Sequence, residues 1–262
     1  MSARPVLELQ KASISFGGLK AVADLDLTLS RNDLVGLIGP NGAGKTTVFN
    51  MITGVYKPTA GDILLLGASL VGRSPHDIAG RGVARTFQNI RLFGNMSALD
   101  NVRVAFHRES SSGWISSVVR TGAFLREEDL CRRRAMELLA LLSLERFADA
   151  RATDLPYGYQ RRLELARALA LAPKLLLLDE PTAGMNPHET EDMMGLIRKI
   201  RTDFDLTVLL VEHDMRVVMG ICERVAVLDY GVKIAEGPPA AIRKDPRVIE
   251  AYLGQEVAHA AD

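Results

Sequence analysis

The chain has 262 residues, 47% hydrophobic and 24% charged, which supports one globular unit with a subdomain and excludes two large independent domains. Lys plus Arg equals Asp plus Glu at 32 each, so no global basic field draws the chain onto phosphates and no nucleic-acid partner is expected. Glu164, Arg167 and Lys174 interrupt the most hydrophobic stretch, which excludes a bilayer span, and the N-terminus carries no basic head and apolar run of a secretory signal.

The first elements, over residues 6–29, alternate apolar and polar side chains on either side of Gly17-Gly18 and read as antiparallel strands with one wet face. LVGLI at 34–38 is a short apolar strand, GPNGAGKTT a glycine-rich loop, and TTVFNMITG a helix stopped at Gly54. ILLL at 63–66 and VARTF at 83–87 continue as strands. Helical patterns then dominate from Ser97 to about Leu171: Ser97 caps ALDNVRVAF, and residues 126–142 form an amphipathic, charged-then-leucine segment. The Ser-rich SSSGWISS at 110–117 reads as a loop or insertion. LLLL (175–178), LTVLLV (206–211) and RVAVLD (224–229) alternate with helices starting near Pro187 and Asp214, as a parallel α/β sheet requires. GPP at 237–239 opens a helical tail. Cys131 and Cys222 are isolated, which indicates a reducing compartment and neither a disulfide framework nor a zinc site.

Gly39, Gly44, Lys45 and Thr46 satisfy the spacing G-x-x-x-x-G-K-[ST] where a strand hands over to a helix. Glycines let backbone N–H groups close around phosphate oxygens, and the helix N-terminus adds a favourable dipole. The stretch Gly39, Pro40, Asn41, Gly42, Ala43, Gly44, Lys45, Thr46 and Thr47 is therefore expected to cradle a nucleoside triphosphate. Lys45 reaches its β- and γ-phosphates and the Thr46 hydroxyl takes a Mg²⁺ position. The apolar run LLLLDE ends in two carboxylates, where α/β sheets bind ligands. Asp179 is the expected Mg²⁺ ligand, directly or through water, and Glu180 the general base for the attacking water. The guanine-reading Asn-Lys-x-Asp and the kinase His-Arg-Asp are both absent, which favours ATP.

An ordered series extends this loop: GPNGAGKTT, Gln88 in RTFQN, LPYGYQRRLELARAL before LLLLDEP, the AGMNP segment, and His213 in VEHD. This series resembles the ATP-binding cassette (ABC) ATPases over nearly the whole chain. The resemblance implies a P-loop NTPase core of α/β class with an antiparallel β subdomain and a helical subdomain. It divides the chain into 1–94 (β subdomain and phosphate-loop part of the core), 95–160 (helical subdomain with signature), 161–236 (rest of the core) and 237–262 (helical tail).

The resemblance also implies roles. Phe16 matches the aromatic that stacks on adenine, and Gln88 the glutamine that senses Mg²⁺ and the attacking water. NIRLFGNMS after Gln88 matches the part that faces a membrane partner, and His213 the histidine that contacts the γ-phosphate. The usual Leu-Ser-Gly-Gly-Gln signature is replaced by Leu155, Pro156, Tyr157, Gly158 and Tyr159, followed by Gln160. Pro156 removes a hydroxyl that would meet the γ-phosphate held by the opposite subunit. Tyr157, Gly158, Tyr159 and Gln160 are still expected to face that nucleotide at a helix N-terminus, with altered strength. Asn186 stands where the family usually has Asp.

The tyrosine-containing signature, AGMNP, the 110–117 insertion and the terminal IEAYLG look like the ATPase subunits of bacterial importers for branched-chain amino acids, specifically the longer of their two paired ATPases. This implies a second ATPase subunit, related or identical; separate membrane permeases, with Trp114, Ile115, Val118 and Val119 as one possible dock; an indirect solute-binding partner; and a peripheral place on the cytoplasmic face of the bacterial inner membrane. Motors for urea, short amides or lipopolysaccharide export, a soluble ABC ATPase and a small-molecule kinase are the alternatives.

Overall fold

The computed structural model describes residues 4–106 and 122–259. The 110–117 insertion, with Trp114, Ile115, Val118 and Val119, lies outside the described residues.

The central sheet has six strands in the order β10-β9-β3-β8-β7-β6. They are β3 (Leu34–Ile38), β6 (Val83–Arg85), β7 (Leu175–Asp179), β8 (Thr207–Val211), β9 (Arg224–Asp229) and β10 (Val232–Gly237). All neighbours run parallel except β9 and β10, so the sheet is mixed, and its antiparallel edge is the part that the reading of a parallel sheet missed. Strands β3, β7 and β8 are buried at every position. Their near-continuous apolar sequence follows, because both faces of the sheet are covered.

The two faces meet different partners. Leu34, Ile38, Leu176, Leu178, Val208 and Leu210 point into a cluster shared with the helices. Val35, Leu37, Leu175, Leu177, Leu209 and Val211 point into a second cluster shared with the antiparallel sheet. The alternation is the period of two of a strand, and each fully buried Leu or Val contributes roughly 1.5–3 kcal/mol.

The second sheet has the order β2-β1-β4-β5, all antiparallel, from β1 (Leu7–Phe16), β2 (Leu19–Leu29), β4 (Ala60–Leu65) and β5 (Ala68–Ser69). The β1–β2 turn is made by Gly17 and Gly18, both at positive φ. Helix α1 (Lys45–Ile52) follows β3, and Gly54 turns the chain away at φ +73°. Helix α2 (Pro75–Gly80), capped by Ser74, and strands β5 and β10 were not foreseen: they are short and carry few apolar residues.

The helical layer holds α3 (Ala98–Phe106), α4 (Gly122–Leu141), α5 (Tyr157–Leu169), α6 (Pro187–Asp203) and α7 (Met215–Ile221). Ser97 Oγ accepts the Asp100 N–H at 3.0 Å, so it caps α3 as its position indicates. Helix α5 begins with the signature residues and runs unbroken across residue 160 into the core. The tail is α8 (Pro239–Ile242) and α9 (Pro246–His259). No described helix is long and apolar enough to cross a membrane.

Candidate active site

The carboxyl ends of β3, β6, β7 and β8 lead into the loops that carry Gly39, Gln88, Glu180 and His213. This is the end of a parallel sheet where ligands are bound. A cavity of ≈ 370 Å³ opens there, lined among others by Lys20, Asn41, Gly44, Thr46, Gln88 and Glu180.

The phosphate loop is shaped by sterics. A Cβ at Gly39 would lie 2.1 Å from the Leu228 carbonyl oxygen, and one at Gly44 would lie 2.7 Å from that of Ala21; both glycines have positive φ. The β9–β10 turn holds the loop from outside, with the Gly231 N–H donating to the Ala43 carbonyl at 3.0 Å. Helix α1 has no side-chain cap and no acidic residue in its first turn, so its leading N–H groups face the cavity without an internal anion. Lys45 is buried and donates to the carbonyls of Gly39 at 2.6 Å and Pro40 at 2.8 Å. Burial pushes its ammonium below the usual lysine value, while the charges of Glu180 and Asp179 act the other way. These features fit a triphosphate: donors, a cation and space, with nothing acidic in the cradle.

Around the cavity mouth, Gln88 Nε2 donates to Glu180 Oε2 at 3.0 Å, and His213 Nδ1 lies 3.6 Å from Glu180 Oε1. Glu180 sits at φ +46°, a left-handed backbone for a residue with a side chain. Its neighbour loop is anchored by buried Glu212, which accepts from the Thr182 N–H at 3.1 Å and the Thr182 hydroxyl at 2.6 Å. Asp179 is buried and committed to Arg85, Nη2 to Oδ2 at 2.9 Å; Arg85 also donates to Asn50 Oδ1 at 2.7 Å and lies against the rings of Phe49 and Phe87.

Phe16 does not line the cavity. It ends β1 half exposed, its ring edge-on to Tyr56 at 5.1 Å, while Leu19, its partner across the β1–β2 turn, is at the cavity wall. The signature residues do not line it either. Pro156 is the N-cap of α5 with no side-chain bond, so that helix start also keeps its N–H groups. Tyr159 accepts from Arg146 at 2.7 Å and Gln160 Nε2 donates to the Leu155 carbonyl at 2.8 Å, so both are spent locally; Tyr157 remains exposed although its hydroxyl accepts from Arg161.

A family model described as ABC transporter matches residues 22–183. The chain belongs to the ABC transporter family. As an ABC ATPase it binds nucleotide and couples ATP hydrolysis to transport. A second model, described as branched-chain amino acid ATP-binding cassette transporter, matches residues 232–258, the segment of β10, α8 and α9. BraF of Pseudomonas aeruginosa, a high-affinity branched-chain amino acid transport ATP-binding protein, is 47% identical over 96% of this chain and 99% of its own. LivG of Escherichia coli, of the same description, is 46% identical over 96% and 99%. The solved ADP conformation of MJ1267, an ATP-binding cassette of an ABC transporter, superposes with TM-score 0.83 at 28% identity, covering 95% of this chain and 99% of that one.

Sequence reasoning missed four residues that this ABC cassette uses to hold its site together: Arg85, Arg161, Glu164 and Glu212. Arg161 and Glu164 are buried on α5 and bind the loop that bears Gln88. For Arg161 and Glu164 the available signal was a charge inside an apolar helical pattern, which a solvated helix face explains equally well until the fold is known.

Proposed function

We propose that this chain is the ATP-hydrolysing motor of a multi-subunit membrane importer for branched-chain amino acids. The reading rests on one geometric observation, the Gln88–Glu180 contact at the mouth of the Lys45 cavity. The substrate class is supported by the two relatives that carry that description and by the match over residues 232–258.

In this reading the triphosphate lies along residues 39–47, with the freed N–H groups of α1 and the Lys45 ammonium on its oxygens. Phe16, outside the phosphate cavity but paired across the β1–β2 turn with Leu19 at its wall, is the adenine platform. Thr46, Asp179 and Gln88 would hold Mg²⁺; oxygen donors suit that cation, and among the described residues no group of three His, Cys, Asp or Glu forms a dedicated metal cage. The ion, when bound, neutralises charge on the phosphate oxygens. Glu180 takes the proton of the attacking water, Gln88 orients that water through the same carboxylate, and His213, beside Glu180, reaches the γ-phosphate.

Tyr157 and Gly158, at the bare start of α5, complete the nucleotide site of a second ATPase subunit, related or identical. Permease subunits carry the amino acid through the membrane, a solute-binding protein delivers it, and the motor sits peripherally on the cytoplasmic face. Copurification with the permeases, followed by ATPase assays with the binding protein loaded with leucine, urea or a short amide, tests the assignment. Stimulation by leucine, isoleucine or valine is the expected result; stimulation by urea or an amide alone overturns the substrate class.

A further inference from the structure

The loop after β6 carries Gln88, and two of its successive carbonyls are taken by one side chain of the signature helix. Arg161, 4% exposed, donates from Nη1 to the Phe87 carbonyl at 2.8 Å and from Nη2 to the Gln88 carbonyl at 2.6 Å. Glu164, one turn along α5, accepts the Phe87 N–H at 3.2 Å and lies 3.6 Å from Arg161. Both polar ends of residue 87 are thus held by the same helix. Two further donors of Arg161 are spent on the Tyr157 hydroxyl, from Nε at 3.1 Å and Nη2 at 2.8 Å. The Tyr157 ring in turn packs on the loop after Glu180, where a Cβ at Gly184 would meet its Cε1 at 3.1 Å.

Neutralising Glu164 would require only one contact from a cation. A guanidinium that also spans two adjacent loop carbonyls and a signature phenol fixes a geometry, because its planar fork cannot rotate to satisfy them one at a time. We propose that Arg161 is a positioning residue for Gln88: it sets the reach of that side chain to Glu180 and joins it to the first turn of the signature helix. The proposal rests on the role given to Gln88 above. Positions near reacting groups tolerate little error, since about 1 Å of misplacement costs about 10²-fold in rate.

The test is a double-mutant cycle on the ATPase activity of the assembled transporter, with Arg161→Lys, Arg161→Met, Gln88→Ala and the combinations. Arg161→Lys keeps the charge opposite Glu164 and therefore folds even if Arg161→Met does not, but it cannot span both carbonyls. Either substitution is expected to lower kcat about tenfold or more with KM for ATP changed by less than about twofold. In the Gln88→Ala background the further loss should be less than about twofold, as for two residues acting through one contact. Equal losses in both backgrounds, or wild-type kcat for Arg161→Lys, overturn the proposal. Full activity of Gln88→Ala alone instead removes the role of Gln88, and Arg161 loses its assignment with it.

Discussion

Glu180 holds a backbone conformation that costs a residue with a Cβ about 1–3 kcal/mol, and it does so between Gln88 and His213. Its replacement by Gln should keep ATP binding, lower phosphate release by about 10²–10⁴-fold and leave a nucleotide-locked dimer. Filter binding and phosphate assays check this; an unchanged rate removes Glu180 as base. Lys45→Ala should lose nucleotide affinity, measured by the same binding assay. Arg85 is a different case, a buried partner of buried Asp179. Arg85→Gln leaves that carboxylate uncompensated and should cost about 3–5 kcal/mol in urea unfolding, and a loss under about 1 kcal/mol would show that the pair is dispensable. The buried carboxyls of Glu164 and Glu212 are pushed up by burial, each against hydrogen bonds that pull down. An acid whose folded value is raised holds its proton more tightly in the native state. Its ionisation therefore removes stability as pH climbs from the ordinary glutamate value through the raised one, with no penalty below the ordinary value. Glu212→Gln should lose less stability than the wild type as pH rises above the ordinary glutamate value, read from urea midpoints; identical pH profiles would contradict the assignment. The place of the glycine-rich loop between β3 and α1, and of Asp179 and Glu180 at the end of β7, was legible because each is written in consecutive residues. The Arg85 and Arg161 partnerships were not, since each is completed by residues more than seventy positions away.

At the scale of elements, the helices divide by how they begin. Helix α6 carries a complete capping box: Asn186 accepts the Glu189 N–H at 3.0 Å and Glu189 accepts the Asn186 N–H at 3.0 Å. Helices α1 and α5 have no side-chain cap at all. The contrast separates a helix that closes its own end from helices whose leading N–H groups no side chain takes; in the proposed reading those of α1 and α5 serve a phosphate, while the four-residue α8 is simply uncapped. Asn186→Ala should cost about 1 kcal/mol, a Tm fall of about 2–4 °C for a domain of this size. Asn186→Asp should hold the Tm, because both side chains accept the same N–H; a drop equal to that of alanine would show that the cap is not what Asn186 supplies. Strands β3, β7 and β8 were readable because burial on both faces writes an unbroken apolar run. Strand β10 was not, because it is an edge strand with exposed positions, and α2 was missed although Ser74 and Asp77 form its cap.

For the whole molecule, the strand order places the ends of β3, β6, β7 and β8 side by side, so residues distant in sequence share one rim. The signature turn lies outside that cavity, which is why the proposed site needs two chains. Specific ATPase activity should fall on dilution and recover as chains associate, followed by light scattering alongside phosphate release; full activity in a strictly monomeric sample would refute the shared site. The ammonium of Lys45 rests on the carbonyls of Gly39 and Pro40, within its own loop. In the proposed reading, an incoming triphosphate finds its receptor already wound to shape around a resident cation. It would exchange two carbonyl acceptors for phosphate oxygens instead of freezing a wandering side chain, so recognition would be a swap of partners with little ordering left to do.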